Sequence, residues 1–430
     1  MATLSELLKQ LNELPIGNIY KKRINGKYYY YYQYFSNGKR YTKLVQKEEA
    51  ESLKILITKR KQIQKQIKEQ QARNVTLSKN SIDLTGYIMS GNRTVATYEN
   101  GILISLNEKY APLVIKRTHS IEKFLKLRVI DMTRTNARIL KKVLNIRVDE
   151  EYKTPLFAYA LSISDNYWFK PKHSKLKYDD VKFNSDQLFE TSLKGEVNVF
   201  YHKTKLSPEI TTTGSFEKGW KYVDDEWWLY KVGSDKELFS ELFCSALAQL
   251  IGVNTVTYEL DGHYIKCKNF AQNYNYEPMA ALMDDNEDYE DVFSVLYNIN
   301  QNIAKDYLKL IFFDAVVNNI DRHNENYGLL RNQTTGKIIS LAPNYDNNLA
   351  LIATTDVVHS NPRKDGFISL FIHFLKTNEI ARELFRTIEF NKITLKDIEN
   401  IINQIPIEVA NKQNIAKTIM LRYEFLKALF

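Results

Sequence analysis

The sequence predicts an α+β fold in which a small basic module of three strands and a helix precedes a larger mixed body with a helical C-terminal lobe. Two Asn-Gly pairs near the N-terminus separate three runs rich in aromatic and β-branched residues, a pattern typical of hairpins. Short apolar runs separated by turns recur at 209–272, and apolar residues at helical spacing dominate 368–430. We therefore divide the chain into 1–73, 74–208, a strand-rich lobe at 209–272 and a helical lobe at 273–430.

Composition excludes several classes of protein. The 430 residues are 44% hydrophobic and 26% charged, which is typical of a globular chain and not of a disordered one. No run approaches the ~18 apolar residues of a membrane-spanning helix, and charges interrupt residues 1–15, which do not resemble a signal peptide. With Cys244 and Cys267 as the sole cysteines, a disulfide scaffold is also excluded. We expect a cytoplasmic protein without a membrane partner, although the sequence leaves translocation into a host open.

The net charge of +9 comes from the N-terminal module. Residues 1–73 contain 16 Lys and Arg against 6 Asp and Glu, whereas the other 357 residues contain 44 against 45. Such an imbalance bears on partners rather than on fold. The chain is thus a basic module joined to a nearly neutral body.

The module itself has a clear pattern. We predict a helix over 2–14, strands over 18–24, 27–35 and 39–45, and a polar helix over 46–73. A basic sheet of this kind could lie in a DNA groove and contact phosphates. The cations that would do so are Lys21, Lys22, Arg23, Lys39, Arg40 and Lys43. Docking of a partner protein, such as an antitoxin-like protein, explains the same pattern, since tyrosines are also common at protein interfaces.

The elements of the body follow from periodicity and turn residues. Short strands are predicted between 75 and 107, helices over 119–146 and 151–163, and loops over 164–208. A strand–turn–strand pattern begins at 209, followed by a helix over 235–251 that Gly252 ends. Two strands, VTYEL and HYIKCKNF, precede helices over 288–303 and 305–319, and the strands YGLLR and KIISLA form a hairpin.

The hexapeptide D-R-H-x-x-N between a helix and this hairpin carries the first chemical signal. Asp321 and Asn326 belong to it, and Asp346 follows just beyond the hairpin. Phosphoryl transfer needs a carboxylate to take the proton of the acceptor hydroxyl, and an amide oxygen and a second carboxylate to hold Mg²⁺. Taken alone, Asp321 and Asn326 could equally be turn and capping residues.

A glycine-rich turn lies upstream in TTTGSFEKGW. Gly214 and Gly219 would let backbone N–H groups approach phosphates, with Thr213, Ser215 and Lys218 beside them. An ordinary hairpin turn accounts for the same residues. The turn gains weight only from the residues that follow it.

Lys231 ends the apolar run WWLY, and Glu241 lies in the otherwise apolar helix that follows. A buried carboxylate is costly unless it is paired, so we predict a Lys231–Glu241 ion pair, with Glu237 as the alternative partner. The chain contains a glycine-rich turn, a lysine, a helix glutamate, a D-x-x-x-x-N loop and a final aspartate, in the order that protein kinases use. This order predicts a bilobal protein-kinase-like fold, with the nucleotide-binding lobe at 209–272 and the helical catalytic lobe at 273–430.

Residues 209–430 resemble the HipA-like kinase family, including the CtkA-type Ser/Thr kinases. The resemblance lies in GSFEK, in the helix SELFCSALAQLIGVN and in LAPNYDN. Residues 161–171, LSISDNYWFKP, are similar to a segment of the N-terminal part of CtkA-type proteins, so the likeness begins near residue 80. The DRHNEN loop is also similar to that of phosphoinositide lipid kinases.

The resemblance implies roles for individual residues. Asp321 would be the catalytic base, Asn326 and Asp346 would bind Mg²⁺, and His323 would support the loop. Lys231, paired with Glu241, would bind an ATP phosphate. The other nucleotide-binding residues would be Thr213, Gly214, Ser215, Phe216 and Lys218 at the phosphates, with Lys268 and Phe270 of the segment Lys266–Phe270 at the adenine. The chain departs from ordinary protein kinases in having Tyr-Asp-Asn where they have Asp-Phe-Gly.

The resemblance also implies self-phosphorylation of the glycine-rich turn, with Thr212 and Ser215 as candidates, beside Thr211 and Thr213. The leading hypothesis is therefore an ATP- and Mg²⁺-dependent Ser/Thr protein kinase with a protein substrate. A toxin, antitoxin or effector role remains open at this point. The alternatives are a catalytically quiet regulator that binds nucleic acid or a partner, and a lipid or small-molecule kinase.

Overall fold

The computed structural model divides the chain into two compact units, Met1–Ser81 and Ile82–Phe430. It describes residues 10, 13–24, 27–36, 39–74, 83–148, 150–197, 206–350 and 362–429. Most of the helix predicted over 2–14 and the turns at 25–26 and 37–38 lie outside these ranges. The four-part division of the chain remains a prediction.

The first unit is an antiparallel meander with one long helix. Strands β1 (Asn18–Ile24), β2 (Lys27–Ser36) and β3 (Lys39–Val45) pair in sequence order, and α1 follows at Lys47–Asn74. The predicted strands and helix are confirmed to within one residue at each end. Val45 of β3 is buried together with Ala50, Ile57 and Ile63, which lie at helical spacing on α1.

Residues 83–197 form the first layer of the second unit. Its antiparallel sheet has the strand order β6-β5-β4-β7. The elements are β4 (Gly86–Ser90), β5 (Arg93–Glu99), β6 (Ile102–Leu106), α2 (Leu113–Thr118), α3 (Ile121–Lys126), α4 (Thr135–Val143), β7 (Tyr167–Pro171), α5 (Tyr178–Val181) and α6 (Phe189–Lys194). Trp168 of β7 is fully buried, and its indole N–H donates to the Gly91 carbonyl at 2.7 Å. This hydrogen bond links β7 to the turn between β4 and β5.

Two helices predicted in this region are wrong in extent. The helix expected over 119–146 is broken between α3 and α4, where the Asp131 carboxylate accepts hydrogen bonds from the backbone and hydroxyl of Thr133. Such local side-chain bonds compete with helical ones. The helix expected over 151–163 is a 3₁₀ turn, Glu151–Ala158, because Tyr159 and Ala160 have positive φ.

The strand-rich part of the body is a four-stranded antiparallel sheet. Strands β8 (Lys218–Val223), β9 (Glu226–Lys231), β10 (Glu259–Asp261) and β11 (Tyr264–Lys268) are arranged in the order β10-β11-β9-β8. Helix α7 (Asp235–Ile251) follows β9 and ends at Gly252 with φ of 90°, as predicted. Upstream of β8 the expected strand is absent, since Pro208–Thr211 is a 3₁₀ turn, and Lys218 begins the strand instead of belonging to the turn.

The C-terminal part is mainly helical and packs around α10, which is buried along most of its length. Its elements are β12 (Tyr274–Pro278), α8 (Ala280–Met283), α9 (Tyr289–Ile299), α10 (Gln301–Val317), β13 (Gly328–Asn332), β14 (Ile338–Leu341), α11 (Gly366–Thr377), α12 (Glu379–Arg386), α13 (Leu395–Gln404) and α14 (Lys412–Lys427). The break between α9 and α10 lies at Asn300, whose side chain caps α10, and not at residue 304 as predicted. Among the described helices, none combines the length and the apolar character needed to cross a bilayer.

Candidate active site

A cleft of about 190 Å³ lies between the β8–β11 sheet and the helical part. Three predicted segments line it: Thr211–Gly214 of the glycine-rich turn, Lys268–Phe270 at the end of β11, and the loop from His323 to Asn326. Asp346 and Lys218 also line it. Motifs separated by more than a hundred residues therefore meet at one cavity.

Lys231 lies behind the cleft between two carboxylates. Its Nζ is 2.5 Å from Oε1 of Glu241 and 2.6 Å from Oδ1 of Asp346, and all three side chains are almost completely or largely buried. Burial alone would lower the pKa of Lys231, but the two carboxylates raise it well above its usual value. For Asp346, burial raises the pKa, yet attraction by Lys231 and Lys218 outweighs that effect and lowers it. The three groups thus form a charged cluster.

Glu237 is not a partner of Lys231. Its carboxylate accepts hydrogen bonds from the backbone and hydroxyl of Ser234, and the Ser234 hydroxyl in turn accepts from the Glu237 N–H. The two residues form a capping box at the start of α7. The sequence pattern S-x-x-E is the signal for this capping role. In the structure the partner of Lys231 is Glu241.

The D-R-H-x-x-N loop is held by an arginine that the sequence analysis did not single out. Arg322 forms a double hydrogen bond with the buried carboxylate of Asp314 in α10, at 2.9 and 3.0 Å. The same guanidinium donates to the carbonyls of Asn326 and Tyr345 at 3.0 and 2.9 Å. Arg322 therefore ties the loop to the segment that contains Asp346. Asp314 is a carboxylate inside an apolar helix, as Glu241 is, and this pattern indicates a buried ion pair at both positions.

Within the loop, the orientation of Asn326 is fixed. Its Nδ2 donates to the backbone carbonyl of Asp321 at 2.7 Å, which leaves Oδ1 as the atom of this amide able to act as a ligand. Asp321 is half-buried, and burial raises the pKa of its carboxyl group while nearby His323 opposes the increase. The His323 Nδ1 accepts the backbone N–H of Glu325 at 3.3 Å and so supports the turn.

The glycine-rich turn closes over Lys218. Gly214 has φ of 89°, a conformation that favours glycine, and a Cβ at this position would displace the Lys218 ammonium group. Burial lowers the pKa of Lys218 to about 8. Arg134, which is buried, donates to the Thr212 carbonyl at 2.5 Å and anchors the start of the turn.

The hydroxyl groups of the turn differ in accessibility. The Thr212 hydroxyl donates to the Pro208 carbonyl at 2.7 Å and accepts the indole N–H of Trp220 at 3.1 Å, so it is engaged inside the turn. Thr213 and Ser215 are exposed. Ser215 and Phe216 are not among the residues that line the cleft.

The predicted adenine segment presents backbone rather than side-chain groups. The N–H of Asn269 donates to the Trp227 carbonyl at 2.8 Å, so the backbone of the preceding residue, Lys268, points away from β9. The Lys268 ammonium is on the surface, 2.6 Å from Glu226. Phe270 packs edge-on against Tyr276 at 5.6 Å, which places its ring in the wall of the cleft.

Sequence analysis missed the contribution of residues 83–197 to this wall. The Asn269 amide donates to the Ile163 carbonyl at 2.9 Å, and the Tyr276 N–H donates to the Ser164 carbonyl at the same distance. Nearby, Arg128 and Asp165 form a buried ion pair of 2.7 Å that also lines the cleft. The segment LSISDNYWFKP belongs to the resemblance, but Ile163 and Ser164 make these contacts through backbone carbonyls, which residue types do not reveal.

A cleft of this kind, with a buried lysine–glutamate pair and a D-x-x-x-x-N loop, is characteristic of kinase-like folds. Residues 202–412 match the family model described as the HipA-like C-terminal domain, and residues 2–54 match a domain of unknown function, DUF6788. The resemblance in the motifs is thereby confirmed, and residues 202–412 belong to the HipA-like family. A search of curated proteins found no match.

Two solved structures are similar to the chain. The complex of HipA, HipB and operator DNA from a toxin–antitoxin system of Shewanella oneidensis MR-1 matches with a TM-score of 0.50 and 14% identity, over 79% of this chain and 97% of that chain. The proinflammatory kinase CtkA of Helicobacter pylori matches with a TM-score of 0.36 and 16% identity, over 49% of this chain and 94% of that chain. The likeness to the first structure supports the α+β, kinase-like fold.

Proposed function

We propose that the chain is an ATP- and Mg²⁺-dependent Ser/Thr protein kinase. The observation that carries this proposal is the placement of Lys231 between Glu241 and Asp346, beside a cleft that Asp346, His323 and Asn326 line. Burying a lysine together with two carboxylates costs desolvation free energy. A role in phosphate binding would explain why the chain has this arrangement.

Asp321 would act on the acceptor. Its carboxylate would accept the proton of a Ser or Thr hydroxyl as the hydroxyl oxygen attacks the terminal phosphorus of ATP, whose bond to the bridging oxygen breaks to release ADP. A carboxyl whose pKa is raised by burial is a better proton acceptor than an ordinary one, and Asp321 has that property. Asp321 is not itself among the residues that line the cleft, but its backbone carbonyl accepts the amide of Asn326, which does line it.

The residues present fit a bound Mg²⁺. Asp346 has a lowered pKa and therefore stays charged. The side-chain nitrogen of Asn326 donates to Asp321, and its amide oxygen takes no part in that bond. Both residues thus offer the hard oxygen ligands that Mg²⁺ prefers. The ion would neutralise charge on the phosphates. Among the described residues, no group of three His, Cys, Asp or Glu side chains could hold a metal, which fits an ion that takes its other ligands from phosphate and water.

The remaining contacts would bind the nucleotide. Lys218 and the backbone of Thr213 and Gly214 would hold the phosphates, because they line the cleft on the side of Asp346. The backbone of Lys268 would bind the adenine edge, beside Phe270. Ser215 and Phe216 would act through the shape of the turn, since neither lines the cleft.

Transfer of radiolabelled phosphate from ATP tests the proposal. Purified protein should label itself or proteins of a cell lysate in the presence of Mg²⁺ and not with excess chelator. Labelling of lipid or of small molecules alone would favour that class of kinase instead. Absence of all transfer, with nucleotide binding also absent, would favour a catalytically quiet regulator.

The proposal includes self-phosphorylation within 211–215 and a toxin–antitoxin role in the cytoplasm, with an antitoxin-like protein as a partner. Family membership supports this context. If it is right, expression of the chain should arrest growth of its host cell, and co-expression of a small protein encoded next to it should relieve the arrest. Growth arrest that persists in Asp321→Ala would separate toxicity from phosphoryl transfer.

A further inference from the structure

The sheet of the first unit has an unusual charge pattern. Its three strands carry seven Lys and Arg, eight Tyr and no Asp or Glu. A sheet with this composition attracts polyanions, because the charges of its strands are all of one sign. Because side chains alternate along a strand, the cations are distributed over both faces of the sheet. The contacts of α1 decide which face can bind a partner.

Helix α1 covers one face. Lys43 forms an ion pair of 3.1 Å with Glu49 of α1, Val45 is buried, and Arg60 of α1 lies close enough to Tyr32 to act on it electrostatically. Because successive side chains of a strand alternate and Tyr32 pairs with Lys43, these residues share a face. The opposite face carries the other set of side chains.

That opposite face, which we call the tyrosine face, is defined by Tyr20, Lys22, Tyr29, Tyr31 and Leu44. Tyr20 and Tyr31 are paired across β1 and β2 and stack at 5.3 Å with an interplanar angle of 17°. Tyr20, Tyr29 and Leu44 are 42%, 37% and 55% exposed. Large apolar groups that stay this accessible beside cations are typical of a binding surface.

We propose that the tyrosine face binds single-stranded nucleic acid through stacking of unpaired bases. A duplex presents base edges in its grooves, since its bases already stack on each other. Unpaired bases present ring faces, which suit stacked tyrosine rings, while Lys22 and Lys27, on the same face of the sheet, contact the phosphates. The ring faces at Tyr20 and Tyr31 therefore favour unpaired bases over a duplex, and the charge favours nucleic acid over an apolar partner.

Two neighbouring tyrosines of β2 give a matched pair of variants. Tyr28 and Tyr29 are adjacent, identical in type and both exposed, but they lie on opposite faces of the sheet. Tyr29→Ala should weaken binding of a labelled oligothymidine or oligouridine of about 20 nucleotides by about 5- to 100-fold. Tyr28→Ala should change it less than about twofold, well below the effect of losing one base stack.

The experiment uses the full chain and fluorescence anisotropy. Tyr20→Ala should behave like Tyr29→Ala, whereas Tyr20→Phe and Tyr29→Phe, which keep the ring, should retain binding. Affinity should fall as salt rises from about 50 to about 200 mM, because counterions are released from the strand. Circular dichroism of each variant separates lost contacts from lost folding, and the Phe variants test the idea even if an Ala variant does not fold.

Three results would overturn the inference. They are equal or tighter binding of a duplex of the same length, no binding of any probe at low salt, and equal losses in Tyr28→Ala and Tyr29→Ala. The inference does not depend on the kinase proposal. Asp321→Ala should bind the oligonucleotide like the wild-type chain, so the failure of either proposal can be recognised separately.

Discussion

Asp314 of α10 and Arg322 of the D-R-H-x-x-N loop form a buried ion pair with two hydrogen bonds, and their side chains are 2% and 8% exposed. Burial would lower the pKa of Arg322, but Asp314 raises it above its usual value, so the guanidinium stays charged. Arg322 also holds the carbonyls of Asn326 and Tyr345. The pair therefore links α10 to both segments that would hold the metal.

Removal of Asp314 should be severe. Asp314→Ala leaves a buried guanidinium without its counter-ion, and we expect a loss of about 3–5 kcal/mol in the free energy of unfolding. Urea denaturation measures this loss. As a control, Glu408→Ala removes an exposed ion pair with Lys412 and should cost at most about 1 kcal/mol. Similar losses in the two variants would show that Asp314 does not stabilise the loop through Arg322.

The Lys231–Glu241 pair should be non-additive. Lys231→Ala and Glu241→Ala should each weaken phosphoryl transfer, and the double variant should lose less than the sum, since the two side chains are in contact. Initial rates of the four proteins in a double-mutant cycle measure the coupling. Glu237→Ala serves as control: it removes the N3 side chain of the capping box at the start of α7 and should leave transfer largely intact. Strict additivity would contradict a functional pair.

These cases show what the sequence could and could not predict. The rule that a buried carboxylate needs a partner was sufficient to pair Glu241 with Lys231, ten residues apart. The same rule applied to Asp314, but its partner Arg322 also bonds to backbone carbonyls, and such bonds leave no trace in residue types. The contact of Asn269 with Ile163 joins residues 106 apart in the chain, and its acceptor is a backbone carbonyl, which residue types do not reveal.

Asp321 should be needed for transfer but not for nucleotide binding. Asp321→Ala removes the proton acceptor, so single-turnover phosphate transfer should fall by about 10²-fold or more, while the affinity for ATP changes little. In the wild type, the rate should decline as pH falls through the raised pKa of Asp321, because the base becomes protonated. Glu424→Ala changes an exposed carboxylate of α14 that does not line the cleft and should keep its activity. Unchanged transfer in Asp321→Ala would refute the assignment.

Lys218 should make nucleotide affinity pH-dependent above neutrality. With a pKa lowered to about 8, its ammonium is charged at pH 7 and neutral at pH 9.5, so attraction for phosphates should weaken across that range. Calorimetric titration with ATP at several pH values measures the change. Lys218→Met should bind more weakly at pH 7 and lose the dependence, whereas Lys268→Met, at an exposed position, should keep it. A wild-type affinity that is constant from pH 7 to 9.5 would contradict the prediction.

Self-phosphorylation, if it occurs in the glycine-rich turn, should select exposed hydroxyls. The Thr212 hydroxyl is engaged with Pro208 and Trp220, whereas Thr213 and Ser215 are exposed. After incubation with ATP and Mg²⁺, mass spectrometry should find phosphate on Thr213 or Ser215 and not on Thr212. Thr212→Ala should therefore still be modified, and the combined Thr213→Ala and Ser215→Ala variant should not.

A phosphate in the turn should also weaken nucleotide binding. It adds about −1.5 to −2 charge beside Lys218, where it would compete with the phosphates of ATP and repel them. The modified protein should thus bind ATP less tightly than Asp321→Ala, which cannot modify itself and so provides the unmodified reference after the same incubation. Phosphate found on the turn with unchanged ATP affinity would show that the modification does not control the site. Phosphate found on Thr212 would show that the turn opens enough to release its hydroxyl.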